Sequence, residues 1–136
     1  MNIQNSEKFY AQAQNFMPGG VNSPVRACRA VGRAPLFIDH AKGSKIYDVD
    51  GNEYIDYICS WGPNILGHAN ERVINAVTET CQRGLTFGAC HSGEIELAKL
   101  IKKHFPSMEM LRLVNSGTEA VMSAIRAARG YTKRDK

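Results

Sequence analysis

An apolar run, Met110 to Val114, breaks at Asn115-Ser116-Gly117-Thr118 and gives way at once to a helical pattern. A chain that enters a helix through Ser-Gly-Thr aims free backbone N–H groups away from the helix, and the helix dipole adds partial positive charge there. Ser116 and Thr118 add hydroxyls, and Gly117 lets a ligand come close to the backbone. Such a turn is an anion cup suited to a phosphate. Spacing alone favours the plainer reading, an N-cap in which Ser or Thr satisfies the helix's own amides. It matches neither a Walker loop nor G-x-G-x-x-G.

Three further residues carry chemistry in their loops. Arg26 sits in "VNSPVRA", framed by Gly and Pro with Asn22 and Ser23 nearby. A guanidinium there can grip a carboxylate bidentately or simply stand solvated at the surface. Trp61 in "SWGPN", the lone tryptophan, can wall a substrate pocket or fill a core or interface. His68 in "LGHAN" has the chemistry of a base, and a place ahead of a helix that suits a structural role. No general acid–base pair, nucleophile triad or metal cluster can be assembled from the sequence. Cys28, Cys59, Cys81 and Cys90 form no C-x-x-C pair and read as reduced thiols.

These residues are positioned by a simple run of elements. The pattern predicts a helix over 6–16, capped by Asn5 or Ser6 and ended by Pro18-Gly19-Gly20. A long Gly/Pro-rich loop follows. Strands are expected at 35–40, 44–50 and 53–58, with Asp50-Gly51-Asn52 as a hairpin turn, making a small antiparallel meander. Helices are expected at 71–83, with Val73, Ile74, Val77 and Cys81 on one face, and from a Ser92 cap to Phe105-Pro106. A buried strand at 110–114 and a helix near 118–129 complete the order. That strand needs neighbours on both sides, and every other expected strand belongs to the meander.

Bulk properties restrict the class. The 136 residues carry 17 Lys and Arg against 13 Asp and Glu, a net charge of +4, with 43% hydrophobic residues. That describes a soluble globular chain. The positive charges are scattered, which does not point to nucleic acid. The N-terminus lacks the basic and apolar regions of a signal peptide, and no apolar run reaches the ~20 residues of a membrane helix. Both features favour the cytoplasm.

The stretches "PGGVNSPVRA", "YDVDGNEYIDYICSWGPNILGHAN" and "VNSGTEAVMSAIRAARGYTKRDK" together resemble the pyridoxal-phosphate-dependent class III aminotransferases over essentially the whole chain. "D-x-D-G-x-x-Y-x-D", "LGH" and "SGTEA" are shared with the ω-aminotransferases. "GGVNSPVR" and "SWGP" are similar to the aminomutase branch, which converts glutamate-1-semialdehyde to 5-aminolevulinate in tetrapyrrole biosynthesis. The resemblance implies an α/β protein of fold type I (aspartate aminotransferase-like). Residues 1–67 would form an N-terminal segment with the meander, and 68–136 the start of a large cofactor-binding domain. It implies a homodimer using pyridoxal or pyridoxamine 5'-phosphate. Ser116, Gly117 and Thr118 would hold the cofactor phosphate, Ser23 and Arg26 would meet the substrate carboxylate, and Trp61 would line the pocket. The family's Schiff-base lysine lies beyond residue 136, so no catalytic residue is expected here, and the chain alone is expected to be inactive. An ω-aminotransferase and a non-catalytic interaction piece are the alternatives. Two positions depart from the family pattern: Cys90-His91 stands where Pro-Thr is usual, and Asn70 replaces a common proline.

Overall fold

The structure, a computed structural model, describes residues 1–134. The chain divides into two units, Met1–Leu85 and Thr86–Lys136, each described by itself.

In the first unit the expected meander forms. Strands β1 (Ile38–Lys42), β2 (Lys45–Asp48) and β3 (Glu53–Ile55) pair antiparallel in the order β1-β2-β3. Lys42 faces Lys45, so Gly43 and Ser44 are the first hairpin turn, and Tyr47 faces Glu53 across the second. The strands are shorter than the alternation suggests because the residues at their ends do other work. Asp48, 3% exposed, folds its carboxylate back into the second turn. Its Oδ1 accepts from the Asp50 and Asn52 amides at 3.0 and 2.8 Å. Its Oδ2 accepts from the Asn52 side-chain amide at 2.8 Å and from the Tyr54 hydroxyl at 2.7 Å. A buried carboxylate is tolerable only when its lone pairs are met in this way.

Asp50, two residues on, reaches the first helix, α1 (Gln4–Ala13). Its two oxygens accept from the Asn5 and Ser6 amides at 2.8 and 2.9 Å. The sequence pointed to Asn5 or Ser6 as the cap, and this is corrected: the N-cap position is Ile3, without a side-chain cap. The orphan amides of the first turn are met by a carboxylate from the hairpin, which also suits the helix dipole. Ser6 is freed for a different bond. It is 1% exposed, and its hydroxyl accepts from the Phe37 amide at 3.2 Å. Phe9 of α1 packs against Phe37, with ring centroids 5.7 Å apart.

The Gly/Pro-rich loop is a chain of three short 3-10 turns, Pro18–Gly20, Pro24–Ala27 and Arg29–Val31. Ala27 from the middle turn is 4% exposed and helps fix the loop. Helix α2 (Glu71–Cys81) closes the unit. Asn70 caps it, accepting from the Arg72 and Val73 amides at 3.2 and 3.4 Å, so the departure from proline there has a physical use. The expected apolar face exists but stays uncovered: Val73, Ile74 and Val77 are 45–53% exposed.

The second unit holds α3 (Ser92–His104) and α4 (Gly117–Thr132). The cap of α3 is corrected by one residue. His91, not Ser92, is the N-cap, its Nδ1 accepting from the Gly93 amide at 3.1 Å. The strand expected at 110–114 does not form. Among the described residues the meander is the one sheet, and Met110, Leu113 and Val114 are exposed. A strand is completed by a partner ladder, and this unit supplies none. Among the described residues no helix is long and apolar enough to cross a membrane.

The carboxylates give the first unit a defined acid limit. Burial raises the pKa of Asp48 and Asp50, but the hydrogen bonds they accept outweigh it and hold both below the ordinary 3.8. The unfolded chain therefore takes up protons first as pH falls. Stabilisation is complete above the ordinary value and disappears as pH drops through the depressed folded values. An acid titration followed by circular dichroism and by the amide resonances of Asn5, Ser6 and Asn52 is expected to show this loss. Asp48→Ala is expected to lower the melting temperature at neutral pH, because four donors lose their acceptor.

Candidate functional site

The loop after β3 is built on Asp56. Its Oδ1 accepts from the Ile58 and Cys59 amides at 2.8 and 3.0 Å, and its Oδ2 lies 2.6 Å from His68 Nε2. The hydrogen bond from His68, then the two amides, hold the Asp56 carboxyl below its usual range. His68 is itself clamped, because its backbone exchanges two 2.8 Å hydrogen bonds with Gly43 at the tip of the first hairpin. The carboxylate–imidazole contact is 8% exposed on the Asp56 side and 23% on the His68 side. His68 is thus a structural fastening.

Trp61 stands between the two anchors. Cys59, Ser60 and Trp61 have φ of 51°, 55° and 64°, three consecutive left-handed residues that are not glycine. Backbone of this kind persists only when its surroundings over-determine it, and it concentrates at functional sites. The Trp61 and Gly62 amides donate back to Ile58 and Cys59, closing the turn. The indole is 68% exposed.

Ser23 and Arg26 are brought together by one 3-10 turn, in which the Arg26 amide donates to the Ser23 carbonyl at 2.9 Å. Among the described residues no carboxylate pairs with Arg26, so its fork of donors is available to an incoming acid. No hydrogen bond joins this turn to the Trp61 turn.

At the start of α4 the structure displays the cap reading in full. Ser116 is the N-cap, and its hydroxyl oxygen accepts from the Glu119 amide at 3.2 Å. The Glu119 carboxylate reaches back to the Asn115 amide at 2.6 Å. This is a variant of the capping box, and the Ser-x-x-Glu spacing that signals it is plain in the sequence, though the reading missed it. The Gly117 and Thr118 amides have no partner among the described residues. A side-chain carbon built on Gly117 would meet nothing within 4 Å, so the approach is open. Two free amides and two hydroxyls at the N-terminus of a 16-residue helix fit a phosphate's acceptor oxygens, with the Glu119 carboxylate in the first turn as an opposing charge.

A profile of the aminotransferase class-III family matches residues 27–136. The chain is 64% identical, over all 136 residues, to the glutamate-1-semialdehyde 2,1-aminomutase of Thermodesulfovibrio yellowstonii, covering 32% of that protein. A solved transaminase with PLP bound superposes with a TM-score of 0.91 at 35% identity, over 100% of this chain and 31% of its own. A glutamate-1-semialdehyde aminomutase from Pseudomonas aeruginosa shares the fold, with a TM-score of 0.86 at 22% identity, over 97% of this chain and 29% of its own. The chain thus spans about 30% of the length of the relatives it matches. Over that span the fold is that of the fold type I, aspartate aminotransferase-like enzymes.

The loop carrying Trp61 also depends on a glycine. Gly67 has φ +77°, and a side-chain carbon there would sit 2.9 Å from the Gly43 carbonyl oxygen. Gly67→Ala is expected to cost about 2 kcal/mol and to break the Gly43–His68 bridge. Gly43→Ala meets nothing within 4 Å and is expected to cost only about 1 kcal/mol, from its left-handed backbone. Denaturant titration with amide exchange at Gly43 and His68 separates the two.

Proposed function

The chain belongs to the aminotransferase class-III family, and on that premise we propose that it is the N-terminal portion of a pyridoxal-phosphate-dependent aminomutase. The enzyme would convert glutamate-1-semialdehyde to 5-aminolevulinate, an intramolecular amino transfer in tetrapyrrole biosynthesis. The observation that carries this reading is high identity to such an aminomutase along every residue of the chain. In this reading residues 1–67 are the N-terminal segment and 68–136 open the large cofactor domain of a cytoplasmic homodimer.

The roles follow from the chemistry of each group. When bound, the cofactor supplies the electron sink for exchange of the amino group. Ser116, Gly117 and Thr118 would hold its phosphate, through the free amides of Gly117 and Thr118 and the hydroxyls of Ser116 and Thr118. Arg26, with Ser23 beside it, grips the substrate carboxylate, and the absence of a competing acid among the described residues keeps its fork free. An intramolecular transfer needs the carbon skeleton retained while two of its carbons exchange roles. A fixed anchor on the distant carboxylate meets that need, because the reacting end can shift while the bound end does not. Trp61 walls the pocket and excludes water from the reacting end.

A second reading is an ω-aminotransferase, which moves the amine between two molecules. The likeness to a solved transaminase at 35% identity favours it. The two are told apart by supplying the purified full-length protein with glutamate-1-semialdehyde and no amino acceptor. Formation of 5-aminolevulinate is expected, and an absolute need for an acceptor would select the second reading. The 136-residue chain alone is expected to form none.

Arg26→Ala in the full-length protein is expected to raise KM for the semialdehyde roughly 10- to 100-fold, the loss of a charge-assisted hydrogen-bonded pair. Arg26→Lys is expected to recover little, because an ammonium cannot present the planar fork. Steady-state kinetics on both variants check this, and an unchanged KM in Arg26→Ala would remove Arg26 from the site.

A further inference from the structure

We propose that Asp56 is the positioning residue for Trp61, and that His68 holds Asp56 in place for that task. Three observations converge. The left-handed run Cys59-Ser60-Trp61 begins at the amides of Ile58 and Cys59, and Asp56 Oδ1 accepts from the Cys59 amide that opens the run and from its neighbour. The second carboxylate oxygen is taken by His68 Nε2 at 2.6 Å, and the His68 backbone is pinned to Gly43 by two hydrogen bonds. The third is what the turn lacks. An open groove of about 620 Å³ borders it, lined by Asp56, Cys59, Gly62 and His68 together with Ile65 and Leu66. The large apolar side chains of the loop, Ile58, Trp61, Ile65 and Leu66, are all exposed, so hydrogen bonds rather than apolar packing set the direction of the turn.

The physical argument is one of over-determination. Each left-handed residue outside glycine costs free energy, and three in sequence relax toward ordinary backbone unless both ends are fixed. Asp56 fixes the first end, through a carboxylate that cannot rotate while His68 holds its other oxygen. The same carboxylate therefore fixes where the indole is carried. A chain of hydrogen bonds runs from the hairpin tip at Gly43 through His68 and Asp56 to the turn that bears Trp61. For the second half of the test this rests on the reading of Trp61 as a pocket wall.

The experiment uses the full-length protein, with the Trp61 signal isolated by subtracting the spectrum of a Trp61→Phe protein. Asp56→Ala is expected to lower the Trp61 fluorescence anisotropy and raise its quenching by acrylamide. Asp56→Asn, which keeps the Oδ1 acceptor, is expected to recover most of both. If Trp61 walls the pocket, Asp56→Ala also raises KM roughly tenfold with kcat less affected. Unchanged anisotropy and quenching in a folded Asp56→Ala protein would overturn the proposal. A changed Trp61 signal with unchanged KM would uphold positioning and remove Trp61 from the pocket. Should Asp56→Ala fail to fold, His68→Ala decides instead, since it removes the imidazole but leaves the backbone bridge to Gly43. It is expected to raise quenching of Trp61, and no change there would overturn the proposal.

Discussion

The Asp50 carboxylate on the first turn of α1 is the contact on which the first unit depends. It joins residues 44 and 45 positions apart and turns a local hairpin into a fold. A ten-residue helix is marginal in water by its own propensity, so α1 needs partners beyond its own hydrogen bonds. They come from two places, the Asp50 charge on the helix N-terminus from the second hairpin and Phe37, just before β1, against Phe9. Asp48 makes this possible by closing the loop that carries Asp50. Its four accepted bonds leave the loop one conformation, and the neighbouring carboxylate is then aimed at the helix. The D-x-D-G-x-x-Y pattern is in this sense a fastening device, with Gly51 at φ 83° permitting the bend between its parts.

That reliance on polar closure matches the scarcity of apolar burial. Ala13 and Ala27 are the buried hydrophobic residues among those described, and no described residue of the second unit is buried. Yet α2, α3 and α4 each carry apolar residues at helical spacing, including Val77, Leu100 and Ile125, all about half exposed. Burial of such a stripe is what ordinarily stabilises helices of this length. The first unit has an internal lock of buried polar contacts, whereas the described residues of the second bury no side chain.

The parts of the fold legible in the sequence were those set by neighbours in the chain. The meander, the tight turns and the existence of each helix came from alternation, Gly and helical spacing. What escaped was set by residues far apart. Asn5 and Ser6 have cap chemistry, but the acceptor that won arrives from Asp50. Met110 to Val114 has strand composition, but a strand is a property of a pair. His91 outcompeted Ser92 because an imidazole nitrogen accepts an amide as an Asx side chain does, which residue preferences at the cap position undervalue. At the site, Ser23 and Arg26 could be grouped from their spacing. The tie between Asp56 and His68 could not, since nothing local says which carboxylate meets which ring across twelve residues.

The turn at Ser116 shows how two readings of one motif can hold together. A cap and an anion cup compete only if they use the same amides. Here the Ser116 hydroxyl takes the amide of Glu119, the third helical position, and Glu119 takes that of Asn115, outside the helix. The amides of Gly117 and Thr118, the first and second positions, are left over. They are the ones nearest the positive end of the dipole, and glycine at the first keeps their approach open. The cap fixes the helix start by its flanks and leaves its tip for a ligand. A hydroxyl that accepts from Glu119 still has its own proton to donate, so Ser116 can serve the helix and an anion at once.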